Sequence, residues 1–282
     1  MWNHILLVFL LSSLTFTACA NSVSLPLWKE EAEQLGYELP KAIGFNLSYM
    51  SMEQGINVDS IAIHGLPLQG LALDMKADPG RQYTEVLTLR ADVWLLPFLN
   101  LYGLVGKLGG YSTTDVTLTA GFKPAKPLIT KKINQFRLNL DGYTTGFGAV
   151  LVGGYDNWFA LVDASMTQSR LTVIDGSIDA LVVSPRIGYD FHRHGQPLRI
   201  WAGAMYQDVE QTLEGSLEDL GLPGTLTNLL PNDARFEVKQ RLQTKWNPLL
   251  GLQYQINDSW YLLGEIGLGD RQSLFLSIDR RF

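Results

Sequence analysis

The 282 residues contain one cysteine, Cys19. A single thiol has no partner, so a disulfide framework within the chain is excluded. Histidine is also scarce, at four residues. No His/Cys spacing of a zinc site occurs, and no glycine-rich phosphate or dinucleotide loop. Charged residues make up only 18% of the chain, and their balance is −6. An acidic chain is a poor partner for nucleic acid. Long apolar runs are missing too. The one continuous run, Ile5 to Phe16, is about a dozen residues, too short for a membrane-spanning helix. What remains is 46% hydrophobic and 11% aromatic with 27 glycines, a mixture that suits many half-buried strands joined by turns.

Strand periodicity dominates from Ile43 onward. Leu87, Leu89, Ala91, Val93 and Leu95 alternate with Thr88, Arg90, Asp92 and Trp94, a period of two. Pro97–Asn100 reads as a turn, after which Leu101 to Leu108 returns. Similar hairpins turn at Asp156-Asn157, at His192–Gly195 and at Asn257-Asp258, with the residues such turns favour. One opening strand, four hairpins and one closing strand predict ten strands. Alternation around Val116-Leu118-Ala120 and Phe136-Leu138-Leu140 either extends neighbouring strands or adds a spanning pair, giving twelve. Pro185 and Pro248 sit in similar segments, three residues before Gly188 and Gly251. Proline removes a ladder donor, so local bulges are expected there.

The closing segment fixes the class. In residues 273–282, Leu274, Leu276, Ile278 and Phe282 share one face, and Ser273, Phe275, Ser277, Asp279 and Arg281 the other. Such a strand suits a barrel wall between lipid and a polar lumen. The ending also resembles the C-terminal strand of Gram-negative outer-membrane β-barrels. The resemblance implies an all-β, antiparallel up-and-down transmembrane barrel, localisation in the cell outer membrane, contact with outer-membrane lipids, and recognition of the final Phe by the barrel-assembly machinery. Arg280 departs from that family's pattern, because it falls on the lipid-facing parity.

The ends divide the chain further. Ala18-Cys19-Ala20 fits signal-peptidase cleavage, so residues 1–20 read as a signal peptide. Phe16-Thr17-Ala18-Cys19 also loosely resembles a lipobox, which would lipidate Cys19; both readings stay open. Residues 21–41 form a periplasmic segment with a short helix from Pro26 to Leu39, where Pro26 and the acids Glu30, Glu31 and Glu33 suit the N-terminal turns. It rests against the barrel base or acts as a plug or lid. Residues 42–282 form the barrel.

Parity assigns the two faces. Tyr102, Tyr155, Trp158, Phe191, Tyr254, Trp260 and Phe282 fall outward near the short turns, as an interfacial aromatic belt requires. Arg90, Asp92, Lys107, Asp163, Arg186, Asp190, Arg199, Glu265, Asp279 and Arg281 fall inward. Five bases and five acids predict a self-neutralising lumen that leaves little open space.

Catalytic chemistry finds little footing. His192 and His194 lie in a short turn. His64, with Asp59 and Asp74 as conceivable partners, is the candidate for an enzyme at the extracellular rim, the alternative function. No metal set, no cofactor and no catalytic constellation is predicted. The leucine-rich connection 211–238 packs on the rim or binds an apolar ligand. The expected function is structural, binding, or restricted passage of a small solute, with a narrow porin-like channel as a further alternative.

Overall fold

The computed structural model describes residues 25–64, 71–122, 129–172, 175–216 and 235–282. The expected signal peptide and most of the leucine-rich connection lie outside them. A short helix, α1 (Lys29–Gln34), precedes thirteen strands: β1 (Ile43–His64), β2 (Leu71–Ala77), β3 (Gly80–Leu96), β4 (Leu99–Phe122), β5 (Ile129–Asn139), β6 (Gly142–Tyr155), β7 (Trp158–Leu171), β8 (Asp175–Asp190), β9 (Leu198–Ser216), β10 (Arg235–Leu242), β11 (Trp246–Asn257), β12 (Trp260–Gly267) and β13 (Gln272–Arg281). The helix is shorter than expected. Trp28 before it and Gly36 after it both take left-handed backbone angles, which glycine adopts without strain at a helix end.

Ten strands close a ring in the order β1, β3, β4, β6, β7, β8, β9, β11, β12, β13, with antiparallel pairing at every step. β13 closes it onto β1, from Gly44 opposite Arg281 to Glu53 opposite Gln272. The remaining three strands extend the wall. β2 and β5 pair with the far half of β4, and β10 bridges the far halves of β1 and β9. The barrel therefore has ten spanning strands, and the extra alternation lengthens them at one end. Proline acts unevenly: the β8–β9 ladder skips Ser184 and Pro185, whereas the β9–β11 ladder runs through Pro248 unbroken.

The amphipathic sense of the long strands inverts partway along. Near the short turns the outward face is apolar. Leu87 and Leu89 on β3 and Leu274 and Leu276 on β13 are exposed there, while Arg90, Asp92, Asp279 and Arg281 point inward. Farther along, the outward face of β3 carries Arg81, that of β7 Arg170, and that of β9 Asp208 and Glu210. The inward face there becomes apolar: Ile56, Val116, Leu118, Leu140, Leu213 and Phe236 are at most 2% exposed and join one cluster. A β-bulge between Val58 and Ser60 keeps Ile61 and Ile63 facing this cluster. An apolar exterior of about nine to eleven residues matches a bilayer's hydrocarbon thickness; a charged exterior over an apolar interior matches water. The barrel thus stands in the membrane by its short-turn half and projects into solvent by the other.

That projecting half is filled. Burial of each large side chain in the cluster contributes about 1.5–3 kcal/mol. Gln211 on β9 donates to Gln82 on β3 across the interior at 2.9 Å, so side chains from opposite walls meet. Arg271, 2% exposed, donates to Gln54 Oε1 at 3.0 Å and to the Thr244 carbonyl at 2.9 Å.

Candidate functional site: a cavity within the membrane half

The membrane half encloses a cavity of about 1280 Å³, contrary to the expectation of a lumen closed by its own charges. Inward glycines are the physical reason. A Cβ at Gly251 would meet the Trp201 ring at 2.3 Å, one at Gly188 the Phe159 ring at 2.4 Å, and one at Gly148 the Tyr102 ring at 2.5 Å. Arg186 passes over Gly203 in the same way, 3.0 Å from the site of its missing Cβ. Each long side chain lies flat along the wall over a neighbouring strand, so the centre stays open.

The charges are tied to the wall in separate groups. Arg186 grips Glu265 with two bonds, Nε to Oε2 at 2.8 Å and Nη2 to Oε1 at 3.2 Å. Trp201 Nε1 donates to the same Oε2 at 2.9 Å. Nearer the short turns, Arg281 lies between Asp92, at 3.1 Å, and Asp279, at 3.2 Å. Asn100 donates through Nδ2 to Asp92 at 2.6 Å and accepts through Oδ1 from Arg90 Nη2 at 2.8 Å. Arg199 Nε donates to Asp190 at 2.7 Å. The same carboxylate meets His192 Nδ1, while His192 Nε2 bonds Gln255 Oε1 at 2.6 Å.

Two expected residues face the other way. Tyr102 is not in the outer belt: it is 8% exposed and donates to Asp163 at 2.6 Å, with the Arg90 guanidinium 3.6 Å over its ring. Lys107 is exposed on the outward face, between Leu87 on β3 and Tyr143 on β6. It stands near the outer edge of the apolar belt, where a long stem lets an ammonium reach water. Both errors have one cause. A four-residue turn at 97–100 would set Tyr102 opposite Leu95. The actual turn is Pro97-Phe98 with a register shift between Trp94 and Leu96, which sets Tyr102 opposite Asp92. A one-residue slip exchanges the faces of a strand.

The other aromatics lie at the short-turn end. Tyr155, Trp158, Tyr254 and Phe282 are exposed. Trp158 and Phe191 both pack on Tyr189. Arg280, outward as its parity requires, is placed over the rings of Trp260 at 5.2 Å and Phe282 at 4.7 Å. Its charge is thereby held at the belt's edge.

With Lys107 outside, the expected interior set holds four arginines against five acids. Of these five acids Asp163 alone meets no arginine within 4 Å among the described residues; it accepts a hydrogen bond from Tyr102. Around the whole cavity the acids Glu31, Glu38, Asp156, Asp163, Asp190, Glu265 and Asp279 outnumber Arg90, Arg186, Arg193, Arg199 and Arg281 by two. Phe159, Leu161, Trp201, Leu263 and Phe275 supply apolar wall between them.

The N-terminal segment lies across the short-turn mouth. Leu27 N donates to the Leu95 carbonyl at 2.9 Å, and Trp28 packs on Phe98 at 6.2 Å between centroids. Tyr37 donates to the Gly154 carbonyl at 3.2 Å, and Lys41 donates to Ser259 at 2.6 Å. Three hairpin turns are thereby bridged, and Trp28, Leu35 and Tyr37 become part of the cavity lining. Sequence alternation carried no signal for this strap, which acts through turn carbonyls and one hydroxyl.

At the opposite end His64 lies 3.6 Å from Glu237. Asp59 is paired with Arg241 at 2.9 Å. Among the described residues no group of three or more His, Cys, Asp or Glu side chains is arranged to hold a metal.

A ten-stranded ring with an apolar outer belt and a polar interior defines a small transmembrane β-barrel. No family model matches the chain, and no curated protein does. Solved structures similar to it include the outer membrane protein OprG from Pseudomonas aeruginosa, at 9% identity over 86% of this chain and 99% of that one, TM-score 0.44. An outer membrane channel from Pseudomonas putida shares 13% identity over 87% of this chain and 97% of its own, TM-score 0.41. The toluene transporter TbuX from Ralstonia pickettii shares 11% over 86% and 90%, TM-score 0.28. At these identities and scores the likenesses carry no role across, and the barrel rests on its own hydrogen-bonded ring.

Proposed function

We propose that this chain is an integral outer-membrane β-barrel of a Gram-negative bacterium that binds a small solute, or passes it slowly, through a cavity facing the periplasm. The cavity carries the reading: side chains laid flat at inward glycines leave about 1280 Å³ open within the membrane half. Short turns lie on the periplasmic side in outer-membrane barrels, so the strapped mouth is periplasmic and the filled half extracellular. A site that joins an apolar wall to a few fixed polar groups suits a ligand with an apolar body and one polar end. The closing strand is the segment offered to the barrel-assembly machinery.

The test uses the purified barrel in a non-ionic maltoside detergent. Titration with 2-phenylethanol should change tryptophan fluorescence saturably. Leu263→Trp fills the cavity and should abolish saturation while the heat-modifiable gel shift is kept. A wild-type response that rises linearly with concentration, like partition into the micelle, would remove the binding reading.

A further inference from the structure

We infer that the solute preferred by this cavity is a small organic cation, anchored on the Asp163 carboxylate. The inference rests on the solute-cavity reading above and adds the sign of the ligand. Four of the five interior acids meet an arginine within 4 Å: Asp92 and Asp279 share Arg281, Asp190 meets Arg199, and Glu265 meets Arg186. Asp163 meets none among the described residues, and one of its oxygens takes the Tyr102 hydroxyl. The nearby arginines are engaged elsewhere. Arg186 is held by both oxygens of Glu265, and Arg90 by Asn100 and the Tyr102 ring. Arg186 is near enough for its charge to be felt at Asp163, but the carboxylate it bonds is that of Glu265. A carboxylate with no ion pair of its own inside a membrane protein is costly. A cationic ligand supplies the missing pair.

Two further features favour the same sign. Two of the acids that line the mouth, Glu31 and Glu38, belong to the N-terminal strap, and an acidic entrance in a low-dielectric wall raises the local concentration of cations. Trp201, which lies over Gly251, lines the cavity together with Phe159 and Phe275. Aromatic faces attract organic cations. A bare metal ion fits poorly, since among the described residues no three His, Cys, Asp or Glu side chains converge into a coordination shell.

Three probes of equal shape and different charge test the assignment: 2-phenylethylammonium, 2-phenylethanol and phenylacetate, titrated into the wild-type barrel by calorimetry. The ammonium should bind roughly tenfold more tightly than the alcohol, a ratio equivalent to about 1.4 kcal/mol, and phenylacetate most weakly. Asp163→Asn should erase the ammonium's advantage over the alcohol; Asp163→Glu should restore part of it. Equal binding of ammonium and alcohol in the wild type would overturn the cation assignment and leave the cavity reading standing. Binding of none of the three would overturn both. The wild-type comparison needs no variant to fold.

Discussion

Arg186→Met should be among the most damaging single substitutions in the barrel. Arg186 and Glu265 are 14% and 6% exposed at the side chain, and their closest atoms are 2.8 Å apart. At an effective dielectric of 20 that separation corresponds to about 6 kcal/mol of Coulomb attraction before desolvation is subtracted. Removing one partner leaves the other buried and uncompensated, which typically costs about 3–5 kcal/mol. Glu265 would keep only Trp201 as a donor. The charge-free pair Arg186→Met with Glu265→Gln removes both charges and leaves an amide oxygen for Trp201. It should recover to within about 1–2 kcal/mol of the wild type, as replacement of a whole buried pair usually does. Urea unfolding from phospholipid vesicles, followed by tryptophan fluorescence and the gel shift, measures both. A single variant that loses less than about 1 kcal/mol, or a double variant no more stable than the single, would show that the pair does not hold the wall as described.

Gly251→Ala places a methyl group within 2.5 Å of the Trp201 ring; it should cost about 1–3 kcal/mol as overpacking and shift the fluorescence difference between Trp201 and a Trp201→Phe background. Leu213→Ala with Phe236→Ala hollows the extracellular filling, at roughly 2–5 kcal/mol for each residue; the wild type should show no steady conductance in planar bilayers and the double variant should, so a steadily open wild type would contradict the filled outer half. Asp115 projects from the solvent half and accepts from Gln135 N at 2.9 Å and from Lys132 at 3.2 Å. The backbone bond first, and then the ammonium, hold its carboxyl below the usual range. Its contribution is therefore present above the unfolded carboxylate range and is lost as pH falls through the lowered folded value. Exchange protection of the Gln135 amide should drop on acidification, and Asp115→Asn should remove that pH dependence.

Strand number and the inward side of most strands were legible because alternation is local. Arg90, Asp92, Asp163, Arg186 and Glu265 each sit between apolar neighbours that point the other way, so their side of the wall follows from period two. β4 gave no such contrast. Leu101, Gly103 and Val105 on one face and Tyr102, Leu104 and Gly106 on the other are equally apolar, and Lys107 alone misleads. The answer lay across the hairpin, in the one-residue register shift between Trp94 and Leu96, because a turn of two residues and a turn of four leave the same faces outward. That single register choice moved one tyrosine into the cavity and one lysine out, and so converted a neutral interior into one short of a positive charge.

Open space was harder to read than sidedness, and for a different reason. Volume depends on pairs of residues from neighbouring strands: Tyr102 with Gly148, Phe159 with Gly188, Arg186 with Gly203, Trp201 with Gly251. In one strand each glycine reads as a weak spot and each long side chain as lumen filling. Together they do the opposite, because the glycine accepts the side chain along the wall. The outer half is filled differently. There Leu, Ile, Val and Phe point straight inward and meet, and the same diameter of barrel closes. The inversion of polarity along β1, β3, β7 and β9 therefore marks two boundaries at once: where lipid gives way to water outside, and where a cavity gives way to a packed core inside. On the solute-binding reading proposed above, a solute admitted past the strap at the short-turn mouth would meet that core as its ceiling, so reversible binding from that one mouth is the step this architecture would serve most directly.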